Sequence, residues 1–239
     1  MSVLARQCSL DRRPWPPRAL SIATRPLTRY LSEQAAHPHG IGGPLIGRLW
    51  VKETATTNDT AIDLLAPGPG ENVLEIGFGP GRTLGILVER GARVTGVDVS
   101  AEMVHLAGRR NSELVRTGAL TLHRGEGVTL PVDDNSQDAV LSVHNLYFWP
   151  KSEATIAEIA RVLRPGGRIL LVFRGREHPL PKRLDPAVYQ DVTTDQCMAW
   201  LASAGFDGHC HHPDEVSPEV SFVLARRSPR GLDSGISKQ

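Results

Sequence analysis

Short apolar runs alternate with longer mixed segments through the middle of the chain, and the spacing of apolar positions changes at each boundary. The run 72–76, Asn-Val-Leu-Glu-Ile, is almost continuously apolar, as a strand covered on both faces requires. Runs at 93–98, 120–124, 139–143 and 168–173 predict four more strands. Between them, 81–90, 101–111 and 152–163 space their apolar residues by three and four, which predicts helices. An earlier helix is predicted at 58–66, ended by Pro67-Gly68-Pro69-Gly70. After a helix at 193–204, stopped by Gly205, two strands at 206–212 and 220–226 are separated only by a loop around 213–218. Strands linked by helices of about a dozen residues build right-handed βαβ units and a parallel sheet. Strands joined by a short loop must pair antiparallel.

The predicted fold class is therefore α/β: a Rossmann-like, doubly wound, mostly parallel seven-stranded sheet ending in an antiparallel hairpin. The flanks differ in composition. Residues 1–39 hold five prolines and no sustained periodicity, and are expected to be a largely disordered basic tail. Six arginines in residues 1–40 face only Asp11 and Glu33, while the whole chain has a formal net charge of +1. This Arg-rich, acid-poor stretch is read either as a solvated tail or as an organellar transit segment. Residues 40–66 carry Gly40, Gly42, Gly43 and Gly47 among apolar residues and are expected to form a lid on a domain spanning 40–227. Residues 228–239 are expected to be a flexible tail. Three cysteines build no disulfide framework and suit a reducing compartment, with the cytoplasm as the expected location. No apolar stretch approaches the ~18 residues of a membrane span.

The chemistry concentrates at the carboxyl ends of the predicted strands, where ligands of doubly wound sheets bind. Val73-Leu74-Glu75-Ile76-Gly77-Phe78-Gly79-Pro80-Gly81 reads as a strand, a glycine-rich turn and a helix start. A dinucleotide site needs G-x-G-x-x-G, with a helix N-terminus open to pyrophosphate. Here Arg82 stands at the third glycine position, and Glu75 two residues before Gly77 would repel phosphate. A carboxylate there suits a ligand with a cationic amino-acid end, such as S-adenosyl-L-methionine. Asp98, 21 residues after Gly77, ends the second strand, where one carboxylate can accept from both ribose hydroxyls. Val99 can pack on the adenine. After the third strand, Gly125-Glu126-Gly127 places Glu126 to accept the adenine amino group, beside Gly127.

On these residues, 40–226 resembles the class I S-adenosylmethionine-dependent methyltransferases of the ubiquinone-biosynthesis-like (methyltransferase type 11) group. The family's first motif looks like Glu75–Gly81, with Gly77, Gly79 and Gly81 as its glycines. Its ribose acid looks like Asp98, followed by the Ser-x-x-Met stretch at Ser100–Met103, and its R-V-L-R-P-G-G turn is Arg161–Gly167. Its adenine-side acid, usually Asp, is Glu126 here. The stretch Asn145-Leu146-Tyr147-Phe148-Trp149 is similar to one in bacterial methyltransferases of undefined substrate, which implies a cofactor role for Asn145.

The segment 144–149 falls where the transferred methyl should point. Its aromatics either wall the site or simply pack a loop. His144 is either a general base or a hydrogen-bonded structural residue, and Tyr147 is the second candidate for catalysis. The run His209–His212 lacks a third ligand at metal spacing, so no metal is expected. The expected activity is methyl transfer to a small-molecule acceptor, since 174–192 is too short for a substrate domain. The alternatives are a nucleic-acid or protein methyltransferase, or a non-catalytic cofactor-binding scaffold. The near-neutral body argues against nucleic acid.

Overall fold

A computed structural model describes residues 25–36, 54–178, 180–181 and 184–229. The lid expected at 40–50, most of the basic tail and the last residues of the chain lie outside the described residues. Seven strands form one sheet in the order β3-β2-β1-β4-β5-β7-β6. They are β1 (Asn72–Ile76), β2 (Arg93–Asp98), β3 (Leu120–Arg124), β4 (Gln137–Val143), β5 (Leu163–Arg174), β6 (Phe206–His211) and β7 (Val220–Arg227). All neighbours are parallel up to β5, and β7 then pairs antiparallel with both β5 and β6. This is the topology expected from the sequence.

Both faces of the sheet are covered because its central strands are apolar on both sides. One face packs α2 (Ala55–Leu65), α3 (Arg82–Glu89) and α4 (Ala101–Arg110) around Val73, Val94 and Leu141. The other packs α6 (Ser152–Val162) and α7 (Thr194–Ser203) around Leu74, Ile76 and Leu171. Local signals start the helices: Ser100 Oγ accepts from Met103 N at 3.3 Å, and Thr193 Oγ1 from Gln196 N at 3.0 Å. Arg168 anchors the sheet to the end of α2. Its guanidinium donates to Leu65 O at 2.6 Å and Ala66 O at 2.8 Å and pairs with Glu71 at 2.7 Å.

Three features depart from the sequence reading. Arg25–Ala36, within the segment read as disordered, forms helix α1. Ser32 is fully buried, and its hydroxyl accepts from Asp185 N at 2.7 Å, so α1 is docked on the body. A short helix, α5 (Ser112–Arg116), follows α4 directly. Strand β5 begins at Leu163, and its register with β4 shifts between Gln137 and Ala139. The Pro165-Gly166-Gly167 turn lies in that shift, with Gly166 at φ 80°. Among the described residues, no helix is long and apolar enough to cross a membrane.

Candidate functional site

The order 3-2-1-4-5 places the topological switch between β1 and β4, and their following loops diverge there. After Ile76 the backbone enters the left-handed region at Gly77 (φ 74°), Gly79 (φ 53°) and Gly81 (φ 74°). Each glycine has a different reason. A Cβ on Gly77 would lie 1.5 Å from Asn145 Nδ2, and one on Gly81 2.5 Å from Ala107 Cβ. A Cβ on Gly79 would meet nothing within 4 Å, because Gly79 faces an open cleft.

That cleft has a volume of about 320 Å3. It is lined by Gly77, Gly79, Asp98, Val99, Glu126, Gly127, His144 and Asn145, brought together from the ends of β1, β2, β3 and β4. Asp98 is 6% exposed. Its Oδ2 accepts from Gly79 N at 2.9 Å and its Oδ1 from Ser100 N at 2.9 Å. It therefore shapes the glycine loop as well as facing the cleft. An ionised carboxylate offers about four acceptor positions, so two backbone donors do not exhaust it. Asn145 Nδ2 donates to Ile76 O at 3.1 Å and ties the loop after β4 to the end of β1.

Two expected site residues stand apart from the cleft wall. Gly81 packs beneath the loop against α4. Glu75 is 3% exposed and turns toward α3, where its Oε1 accepts from the Thr83 hydroxyl at 2.5 Å. Its Oε2 has no partner among the described residues. Burial pushes its carboxyl up to about 7, against the Thr83 hydrogen bond and with a smaller upward push from Asp98. Sequence reasoning missed Ala35 and Ala36 of α1, and Met103, as cleft residues. A spacing of Leu27, Leu31 and Ala35 was the signal for α1, outweighed by the surrounding prolines.

A second cavity, of about 230 Å3, adjoins the first, and His144 lines both. Its walls include Tyr147, Arg174, Leu184, Tyr189 and Val220. His144 is held at φ 55°, with its N–H donating to Val172 O at 2.7 Å. Burial lowers the imidazole to about 4, and the nearby Arg174 cation adds to the effect, so the ring is neutral at physiological pH. Burial raises the Tyr147 phenol well above its ordinary value, and neighbouring Tyr189 raises it further. The aromatics do both things the sequence left open. Tyr147, Phe148 and Tyr189 pack with centroids 4.7–4.9 Å apart, while Phe148 and Trp149 also wall the first cleft.

Residues 74–171 match the family model described as a methyltransferase domain. The uncharacterized methyltransferase YdaC of Bacillus subtilis is 28% identical over 187 residues, covering 77% of this chain and 98% of that protein. An uncharacterized methyltransferase of Mycobacterium tuberculosis is 42% identical over 120 residues, covering 50% of this chain and 46% of its own length. Among solved structures, the protein in complex with the Trm112 methyltransferase activator of Haloferax volcanii shares the fold. Its TM-score is 0.69 at 20% identity, over 84% of this chain and 98% of that one.

The stretch 74–171 is thus similar to methyltransferase domains, and the sheet built around it has the doubly wound order those structures share. The described wall of the first cleft presents Asp98 and Glu126 but no lysine or arginine, which suits a cationic ligand and not a pyrophosphate. Arg82, which stands where a dinucleotide site needs glycine, turns away to bond Asp59 at 2.7 and 2.9 Å. Among the described residues, no group of three His, Cys, Asp or Glu side chains is placed to hold a metal ion. Cys210 and His212 lie 3.4 Å apart on the edge of the sheet remote from β1, without a third ligand.

Proposed function

We propose that the enzyme moves a methyl group from S-adenosylmethionine, held in the first cleft, to a small, partly apolar acceptor held in the second cavity. The observation that carries this reading is that the two cavities meet at His144. In this arrangement Asp98 accepts from the ribose hydroxyls, Val99 and Met103 cover the adenine, and Glu126 accepts from its amino group. The backbone of Gly77 and Gly79 lets the amino-acid end approach closely. Glu75 acts from behind the loop as a buried acid whose ionised form favours a cationic ligand, and Asn145 holds the loop through Ile76.

When bound, the cofactor supplies a methyl carbon already activated by a neighbouring sulfonium. The chain's own residues have three tasks: alignment, exclusion of water and control of charge. Phe148 and Trp149 close the cleft on the methyl side. Tyr147, kept protonated by burial, offers a hydroxyl donor to the acceptor. His144, neutral near pH 7 and a weak base, offers the acceptor a hydrogen-bonding partner.

The experiment is methyl transfer from methyl-labelled S-adenosylmethionine into separated small-molecule, protein and RNA fractions. Label in the small-molecule fraction supports the proposal. Label only in RNA or protein overturns the acceptor class, and cofactor binding without any transfer supports a scaffold.

A further inference from the structure

The charge at the meeting point of the two cavities restricts the acceptor beyond size. Arg174, at the end of β5, lines the second cavity beside His144 and is only 21% exposed. Its guanidinium pairs with Glu219, which is not among the cavity's lining residues. Toward the mouth, Arg176 and Asp191 form a looser pair at 3.6 Å, with both side chains more than half exposed. His178 completes the basic run on this wall. The cations Arg174 and Arg176 are thus balanced by Glu219 and Asp191 before any ligand enters. S-adenosylmethionine, with its sulfonium, adds one net positive charge next to the most buried of these cations.

We infer, on the reading that S-adenosylmethionine fills the first cleft, that the acceptor is a carboxylic acid with a hydrocarbon body, bound as its carboxylate between Arg174 and the methyl group and converted to a methyl ester. An anion there lies between two cations, the sulfonium and the Arg174 guanidinium, and a guanidinium has donors for more than one carboxylate. The rest of the wall, from Leu180, Pro181, Leu184, Tyr189 and Val220, suits an apolar body. An amine would arrive as an ammonium beside two cations. An alcohol would need a base strong enough to remove its proton, and His144, lowered to about 4, is a weak one. A carboxylate is already ionised at neutral pH. In the transfer its oxygen forms the new O–CH3 bond as the C–S bond breaks, and the electron pair of that bond goes to sulfur. Carboxylate and sulfonium become neutral ester and neutral thioether, and no proton moves.

The test uses the full chain loaded with sinefungin, a non-transferring analogue that keeps a positive charge where the sulfonium lies. Octanoate, octanol and octylamine are titrated into it, with hydrocinnamic acid and its alcohol as a second pair. The acids should bind at least about tenfold more tightly than the alcohols or the amine, which corresponds to about 1.4 kcal/mol. The preference should shrink when the neutral product S-adenosylhomocysteine replaces sinefungin. It should be lost in Arg174→Gln and kept in Arg174→Lys. With S-adenosylmethionine and octanoate, the label should appear as an ester that releases methanol in mild alkali. Acids that bind no more tightly than the alcohols, or do not bind the loaded enzyme, overturn the inference. If Arg174→Gln does not fold, the comparison of sinefungin with S-adenosylhomocysteine in the parent still decides. Failure of sinefungin and S-adenosylmethionine to bind, seen before any acid is added, overturns the cofactor reading instead.

Discussion

Replacing Asp98 tests the cofactor site and the loop that builds it at once. In Asp98→Ala two backbone donors lose their acceptor: Gly79 N, at the open cleft, and Ser100 N, in a residue only 6% exposed. Water can reach the first, so its loss costs little. The second is left unsatisfied in a buried position, which costs about 1–3 kcal/mol. For a domain of this size each kcal/mol lowers Tm by about 2–4 °C, so the ligand-free melt should fall by about 2–12 °C. Cofactor affinity should fall further. Two hydrogen bonds from ribose hydroxyls to a carboxylate contribute about 1.5–3 kcal/mol each, partly replaced by water, so the loss should be about ten- to a few hundred-fold. From the sequence, Asp98→Asn looks mild, because an amide oxygen still accepts one bond. The structure reverses that expectation. Both carboxylate oxygens accept from backbone N–H groups, so whichever way the amide is turned its NH2 faces a donor. Asp98→Asn should therefore melt no higher than Asp98→Ala. The assays are calorimetric titration with S-adenosylmethionine and thermal melts of both variants without ligand. Parental affinity in Asp98→Ala would remove the ribose assignment, and a parental melting temperature in Asp98→Asn would refute the account of the loop.

Other outcomes follow from the same geometry. Gly77→Ala drives a Cβ into Asn145 and keeps a left-handed φ, which should cost about 2–3 kcal/mol in urea unfolding and weaken cofactor binding at least tenfold; unchanged binding would show that the loop does not carry the ligand. The native Glu75 carboxyl keeps its proton up to about pH 7 while the unfolded chain releases it near 4.5. Stability should therefore fall as pH rises through that window, by about 3 kcal/mol at most, and Glu75→Gln should flatten that part of the urea-melt profile; an identical profile in the variant would rule the residue out. Removing residues 1–36 should leave the body folded but lower cofactor affinity several-fold, because Ala35 and Ala36 line the cleft. Full affinity in the truncated chain would show that α1 is incidental.

The parallel core was legible because its strands are short, apolar and bounded by turn residues. Strand β2 begins after Gly91-Ala92 and ends on Asp98 as the pattern predicts. Helix α1 was not legible, because composition is averaged over a window and the nearby prolines outweigh twelve residues of helical spacing. The residues of the first cleft follow the carboxyl ends of parallel strands, where each run ends in a local signal of glycine or acid, so the sequence shows them. The second cavity has no such signal. Arg174 ends β5, Tyr189 lies in a loop and Val220 opens β7, and only the antiparallel return of β7 brings them together. Glu75 shows a finer failure. The sequence reading set its carboxylate against a ligand's amino-acid end, whereas alternation along β1 turns it toward α3. Val73 packs on the α3 face while Leu74 and Ile76 pack on the other, so Glu75 shares the α3 face with Val73 and meets Thr83.

The same reasoning bears on His144. Among the described residues three non-glycines have φ in the left-handed region, and two of them have ordinary reasons. Ala66 caps helix α2, and Asn135 is a turn residue of a type that tolerates this region. His144 has neither excuse: it follows β4 directly and donates its N–H across to β5, still within the hydrogen-bonding frame of the sheet. A residue with a Cβ held there costs about 1 kcal/mol or more, and such strain concentrates where a side chain must be aimed. The turn breaks the alternation of β4 at the switch between β1 and β4. Extended backbone would have continued that alternation onto one face of the sheet. The left-handed turn instead departs from it, at the residue that lines both cavities.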